Sequence, residues 1–281
     1  MIKDRKVIKS VRGRRTQDGA GVNLVRVLGN ETVYDFDPIL MLDSFDTSNP
    51  EDFSAGFPTH PHRGIETVTF IADGSISHKD NLGNEATVAD GGAQWLTAGS
   101  GAFHSEFLSA ETRLLGVQMW LNLPKKDKMC PPAYRSIDNK DIQEFDFDGG
   151  KLRLICGEYQ GHQGYQGQYL PLSYYDIILD PQAKLSLNMA NDDSVMAFTL
   201  QGNANIGGSK VMEKTAVKLG EGERLVIETG DKGAEVLVMI SRALHEPVSW
   251  YGPIVMNTMG EIKTAVNELN NGTFIKTKTK Y

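Results

Sequence analysis

Cysteine is nearly absent. The 281-residue chain carries two, Cys130 and Cys156, with no CxxC spacing. That excludes a disulfide framework and a thiolate metal site, and leaves two buried thiols as the expectation. Positive charge is short as well: 29 Lys and Arg against 36 Asp and Glu give a net charge of −7. A general nucleic-acid binder needs the opposite balance, because it gains affinity by displacing counterions from phosphates. No run approaches the length of a membrane span, and no apolar leader opens the chain. The expectation is a cytoplasmic protein with neither a membrane nor a nucleic-acid partner. Histidine is scarce too, at six in the whole chain, so its placement carries information.

Glycine is plentiful, at 29 of 281 residues, where an average protein has roughly 7%. Glycine reaches the positive φ that tight turns need, so a turn-rich all-β protein is favoured. Short apolar runs between Gly, Asn and Asp turns read as strands: 65–71, 75–80, 93–98 and 115–123. The segment from 124 to 150 is charged, carries three prolines and lacks periodicity, so it reads as a linker. A second series of strands follows at 151–157, 173–180, 183–189, 194–202, 223–229 and 234–241. Two β-rich halves of similar length suggest an internal duplication, with domains at 1–133 and 134–281. Overlaying "TVTFIADG" on "VMAFTLQG" sets His60 against Asn188 and His62 against Ala190. The second half has no paired histidines and is expected to be metal-free. The basic stretch "KDRKVIKSVRGRR" reads as a solvated edge strand.

One helix stands out near the C-terminus. Thr258 and Glu261 have the spacing of a capping box, and Ile262, Ala265, Val266 and Leu269 share one helical face. Asn271 and Gly272 supply the stop. This helix is expected to cover the outside of a sheet, with "KTKTKY" after it as a mobile tail.

The chemistry lies in "HPHRGIE" and "GSGAFHSE". Side chains two apart on a strand point the same way, so His60 and His62 share a face. Pro61 points the other way and marks a strand start or edge. Gly64 and Glu66 fall on the histidine side if no bulge intervenes. His104 and Glu106 repeat the two-residue spacing about 40 residues later. Two such pairs on neighbouring strands bring three imidazoles and a carboxylate together. That set suits Fe(II), Mn(II), Ni(II), Cu(II) or Zn(II), and leaves two positions open on an octahedral ion. His78 is expected to be structural or pocket-lining, and His162 and His245 to lie at the surface.

These motifs resemble the two cupin motifs. "HPHRGIETVTFI", "HKDNLGNEATVADGGAQWLTAGSGAFHSE" and "EPVSWYGPIVMNT" resemble the pirin family more narrowly, over nearly the whole chain. The resemblance implies two cupin-type β-barrel (double-stranded β-helix) domains, with one iron in the N-terminal one. Carried over by motif, the metal ligands are His60, His62, His104 and Glu106. Glu66 is a ligand position in many other cupins, and behind the ligands in pirins.

Some bacterial pirins resemble quercetin 2,3-dioxygenases, which implies a small aromatic substrate plus dioxygen. Glu106 and Glu66 are then the candidate catalytic carboxylates, as acceptors of a substrate proton. The alternative is a metal- or redox-sensing regulator acting through a protein partner. A non-catalytic binder of small ligands is a third reading. Fold alone does not separate them.

Overall fold

The computed structural model describes residues 2–277, and strands dominate. It divides into two compact units. One comprises Arg15–Val33, Ile39–Asn139 and the chain from Leu244 onward. The other comprises the chain up to Arg14, Tyr34–Pro38 and Lys140–Ala243. A single cut between 133 and 134 therefore does not describe the partition. The strand Val7–Arg12 pairs antiparallel with Thr215–Leu219 in the second unit, at the edge of its sheet. The terminal helix belongs to the first unit, not the second. Strand pairing is made by backbone hydrogen bonds and is indifferent to sequence separation, so each unit recruits the opposite end of the chain.

Each unit repeats one plan, a seven-stranded and a four-stranded antiparallel sheet, which is the double-stranded β-helix expected, with sheets rather than a closed cylinder. In the first unit the larger sheet runs Ala133–Ile137, Ala93–Thr97, Ile65–Asp73, Leu114–Asn122, Ile39–Thr47, Val22–Leu28 and Arg14–Asp18. The smaller runs Phe57–His62, Ala102–Ser109, Ser75–Asp80 and Glu85–Ala89. Their apolar faces meet in a core where Val22, Leu24, Phe45, Ile71 and Leu114 pack against Ile76, Val88 and Leu108. The stretch read as a linker contains two edge strands. Ala133–Ile137 pairs with Ala93–Thr97, and Gln143–Phe147 pairs with Gly150–Cys156.

The second unit fills the equivalent space with Leu185, Leu187, Leu225, Ile227 and other aliphatics. Leu187 stands opposite Leu225, and Leu185 opposite Ile227. Asn188 is exposed on the other face. The overlay that matched His60 to Asn188 is thus one residue out of step, and inward positions carry Leu where the first unit carries His. One residue of slip on a strand reverses the face.

The helix Met259–Asn270 starts as expected: Thr258 Oγ1 accepts from Glu261 N (3.2 Å) and Glu261 Oε2 accepts from Thr258 N (2.8 Å). Ile262 and Ala265 are buried with Ile254, Met256 and Phe274, and Phe103 packs on this cluster from the outer face of the smaller sheet. In the expected tail, Lys276 pairs with Glu268 at 2.7 Å, and residues 278–281 lie outside the described residues. Neither cysteine is in a disulfide, and both are buried.

Candidate metal centre

The smaller sheet of the first unit gathers the polar chemistry on its inner face. His104 stands directly opposite His60, and Ala102 opposite His62. On its other side His104 faces Asp80, and Glu106 faces His78. Directly opposed residues in a ladder point to one side, so three strands contribute His60, His62, His104, Glu106, His78 and Asp80 to one face. The ring centroids of His60, His62 and His104 lie 4.4–5.0 Å apart. His62 and His104 are buried and His60 half-buried.

Hydrogen bonds determine where the ring protons sit. His60 Nδ1 donates to Pro58 O (2.8 Å), and His62 Nδ1 donates to Pro253 O (3.1 Å). A carbonyl only accepts, so each neutral ring has a bare Nε2. Those two Nε2 atoms face each other at 3.1 Å. His104 Nε2 is buried and has no hydrogen-bond partner. Three ring nitrogens thus converge on one space, two of them bare by tautomer and the third without a partner, which suits an imidazole-bound cation. Burial pulls the His62 pKa down to about 3, helped by His60, and pulls His104 well below the usual histidine range. Neutral imidazoles are the form that binds metal.

Ligand atoms of His60, His62 and His104 all lie within 4.8 Å of one another, and so do those of His78, His104 and Glu106. His104 joins the two groups. Glu106 is held from both sides: Oε1 accepts from Gln94 Nε2 (2.5 Å) and Oε2 from Gln118 Nε2 (2.9 Å). Among the described residues, both groups belong to this unit.

Glu66 is a correction. The extended run from His60 does not continue to it, because Gly64 at φ +79° turns the chain out of the smaller sheet. A Cβ at Gly64 would lie 2.0 Å from Val255 O, so only glycine fits this turn. Glu66 then follows Ile65 in the strand Ile65–Asp73 of the larger sheet. Its Oε1 accepts from Trp95 Nε1 (3.0 Å) and Thr97 Oγ1 (2.6 Å). Trp95 and Thr97 alternate with Gln94, and Glu66 with Thr69, which accepts from the same Gln118 that holds Glu106. Glu66 therefore points to the opposite face of the sheet from the histidines, and is no candidate for ligand or proton acceptor there. Burial raises its pKa against the opposing pull of Thr97 and Trp95.

The sequence reading gives His78 only as structural or pocket-lining and misses Asp80, Gln94, Gln118 and Tyr134. His78 and Asp80 form a third pair two apart, hydrogen-bonded at 2.9 Å. The spacing was a readable signal, matching that of the other pairs. Gln94, Gln118 and Tyr134 gave none. Tyr134 stacks on His78 with centroids 4.0 Å apart and planes 11° apart, and donates to Gln94 Oε1 at 3.1 Å. His162 and His245 are exposed, as expected.

A pocket of about 790 Å³ opens beside the cluster, with His60, His62, Gln118, Trp120, Trp250 and Arg26 among its lining residues. Trp120 meets His62 edge-on at 5.0 Å and lies 5.5 Å from Trp250. Its indole N–H is buried and has no protein partner. Arg26 is held by Asp43 (2.9 and 2.7 Å) and Asp18 (2.5 Å).

Comparison with known proteins agrees with this architecture. Residues 21–121 match the Pirin family model, and residues 174–275 match the Pirin C-terminal cupin domain. A Pseudomonas aeruginosa protein named "Putative quercetin 2,3-dioxygenase" is 38% identical over 97% of this chain and 99% of its own length. A crystal structure of quercetin 2,3-dioxygenase from Acinetobacter baumannii superimposes with a TM-score of 0.88 at 32% identity, covering 96% of this chain and 98% of that one. A bacterial pirin from Escherichia coli in complex with nickel(II) shares the fold, with a TM-score of 0.64 at 23% identity over 86% of this chain and 99% of that one. Two matched domains, near-complete coverage and a histidine cluster in the first unit lead to one statement: the chain belongs to the pirin family.

Proposed function

We propose that this protein is a metal-dependent dioxygenase of the quercetin 2,3-dioxygenase type, acting on a flavonol or a related aromatic. One divalent transition ion per chain, Fe(II) first and Mn, Ni, Cu or Zn as alternatives, would be held by His60, His62 and His104, with Glu106 as the carboxylate beside them. The observation that carries the reading is the position of the imidazoles. His60 and His62 line an aromatic-walled pocket of about 790 Å³, large enough for a three-ring aromatic, while their bare Nε2 atoms converge next to it.

An Fe(II) ion supplies a Lewis-acid centre that can also exchange electrons with dioxygen. The rest of the work belongs to side chains. Trp120 and Trp250 offer flat apolar surface for an aromatic ring. The unpartnered Trp120 N–H is a donor for a substrate oxygen. The Arg26 guanidinium, clamped by Asp43 and Asp18, gives the pocket a fixed polar wall that suits phenolic hydroxyls. Glu106 is held by two amide donors and keeps a further lone pair on each oxygen for a substrate proton. The similarity to proteins carrying the quercetin 2,3-dioxygenase name supports the choice of substrate class.

The test is oxygen uptake by Fe(II)-loaded protein with quercetin, together with loss of flavonol absorbance. Activity should vanish in His60→Ala along with the metal. Stoichiometric metal with no metal-dependent oxygen uptake on any flavonol or catechol would reject the enzyme reading and promote a regulatory or binding role.

A further inference from the structure

Asp80 and His78 touch neither His60 nor His62, yet their hydrogen bonds reach the third imidazole. The Asp80 carboxylate is anchored by its own turn: Oδ1 accepts from Leu82 N (2.8 Å) and Asn84 N (3.0 Å), and Oδ2 from Asn84 Nδ2 (2.9 Å). Oδ2 also accepts from His78 Nε2 (2.9 Å), with both side chains fully buried. An ionised carboxylate only accepts, so His78 carries its proton on Nε2. In its neutral form the His78 ring then has a bare Nδ1. That atom lies 3.4 Å from His104 Nδ1, a long and weak contact whose direction is nonetheless fixed. For this contact to be a hydrogen bond one of the two nitrogens donates, and His78 Nδ1 has nothing to give. His104 therefore holds its proton on Nδ1, and its Nε2 is left bare. This is the buried nitrogen without a partner.

We propose that Asp80 and His78 are positioning residues: they act in series to fix the tautomer of His104, and so supply the third lone pair of the histidine cluster. His60 and His62 obtain the same result from the carbonyl groups of Pro58 and Pro253. Among the described residues no carbonyl meets His104 in that way, and the carboxylate–histidine pair takes its place. Tyr134 holds the relay in register by stacking on the His78 ring, 4.0 Å away and nearly parallel. Chemically this is the arrangement in which a group behind a ligating imidazole fixes ring orientation and raises basicity. The inference rests on the metal reading for its purpose, and on hydrogen-bond geometry alone for its tautomers.

Two measurements test it. The first needs no metal and no variant: ¹⁵N-resolved ring spectra of the apoprotein at neutral pH should show His104 protonated on Nδ1 and His78 on Nε2. The opposite tautomer at either ring overturns the proposal. The second is metal affinity by chelator competition. Asp80→Asn removes the pure acceptor, and His78→Phe keeps the stack on Tyr134 while removing Nδ1. Each should weaken binding about 10–100-fold while still saturating at one ion per chain. Unchanged affinity in both overturns the proposal. Loss of one imidazole from the metal's scattering shell in His78→Phe also overturns it, because His78 would then be a ligand. If the wild-type chain binds no ion, the metal reading fails, and the spectra still judge the relay. Circular dichroism of the apo variants should match the wild type, separating a tautomer effect from loss of fold.

Discussion

The His62 ring donates from Nδ1 to the carbonyl oxygen of Pro253, 191 residues further along the chain. A candidate metal ligand is thus oriented by the C-terminal segment, which also contributes Trp250, Tyr251 and Gly252 to the pocket wall. Two buried basic side chains pin that segment to the histidine strand. Lys128 Nζ donates to Gly64 O (2.9 Å), Asn122 Oδ1 (2.6 Å) and Val255 O (3.0 Å). Arg63 donates to Ser100 O, Phe274 O and Glu268, and its guanidinium lies 4.1 Å from the Phe274 ring centre.

His60→Ala and His104→Ala should each lose most of the metal while the strand content persists. One core cluster of this unit, with Val22, Phe45, Ile71, Ile76 and Leu108, is built from aliphatic and aromatic side chains and includes no candidate ligand. Metal analysis and circular dichroism check this. Full stoichiometric metal in either variant would remove that histidine from the ligand set.

The two glutamates should behave oppositely. Glu106→Gln replaces an anionic oxygen with an amide between two glutamine donors, and should weaken metal binding. Glu66→Gln keeps an acceptor for Trp95 and Thr97 and lies on the other sheet face, so metal content should match the wild type. Isothermal titration of both variants decides it, and metal loss in Glu66→Gln would contradict the face assignment.

Arg63→Ala should destabilise the protein. Removing the guanidinium leaves the Ser100 and Phe274 carbonyls without their donor, at about 1–3 kcal/mol for a stranded buried acceptor. Because Arg63 adjoins His62, the variant should also bind metal less tightly. Urea unfolding with equal m-values checks the first effect, and chelator competition the second.

Lys128 should leave a signature in pH. Burial lowers its pKa to about 7, while Glu246 and Glu261 pull the other way. The unfolded side chain titrates near 10.5. Between those values the unfolded state holds more protons, so stability rises with pH across that window. Lys128→Met should flatten this rise and lower stability overall, because three acceptors lose their donor. Denaturant midpoints from pH 6 to 10 measure it (roughly the span of the two values). An identical slope in both proteins would mean that the three oxygens keep Lys128 charged throughout.

Local patterns were legible from the amino-acid sequence. Period-two alternation and glycine turns located strands such as Ser75–Asp80 and Ala234–Ser241 to the residue, and the Thr258–Glu261 box located the helix start. These features depend on side chains within a few residues of one another. The spacing of His60 with His62, and of His104 with Glu106, put each pair on one face for the same reason.

Tertiary structure decided what parity cannot carry across a turn. Gly64 resets the strand, so Glu66 left the histidine face although its spacing from His62 kept it there on paper. Register between strands placed His78 and Asp80 opposite Glu106 and His104. Pairing through the backbone sent the first strand and the last helix to opposite units. The carbonyl of Pro253 reached His62 only because the chain end folded back on its first unit. Each of these is a contact between segments far apart in sequence, made by hydrogen bonds whose partners no local pattern specifies.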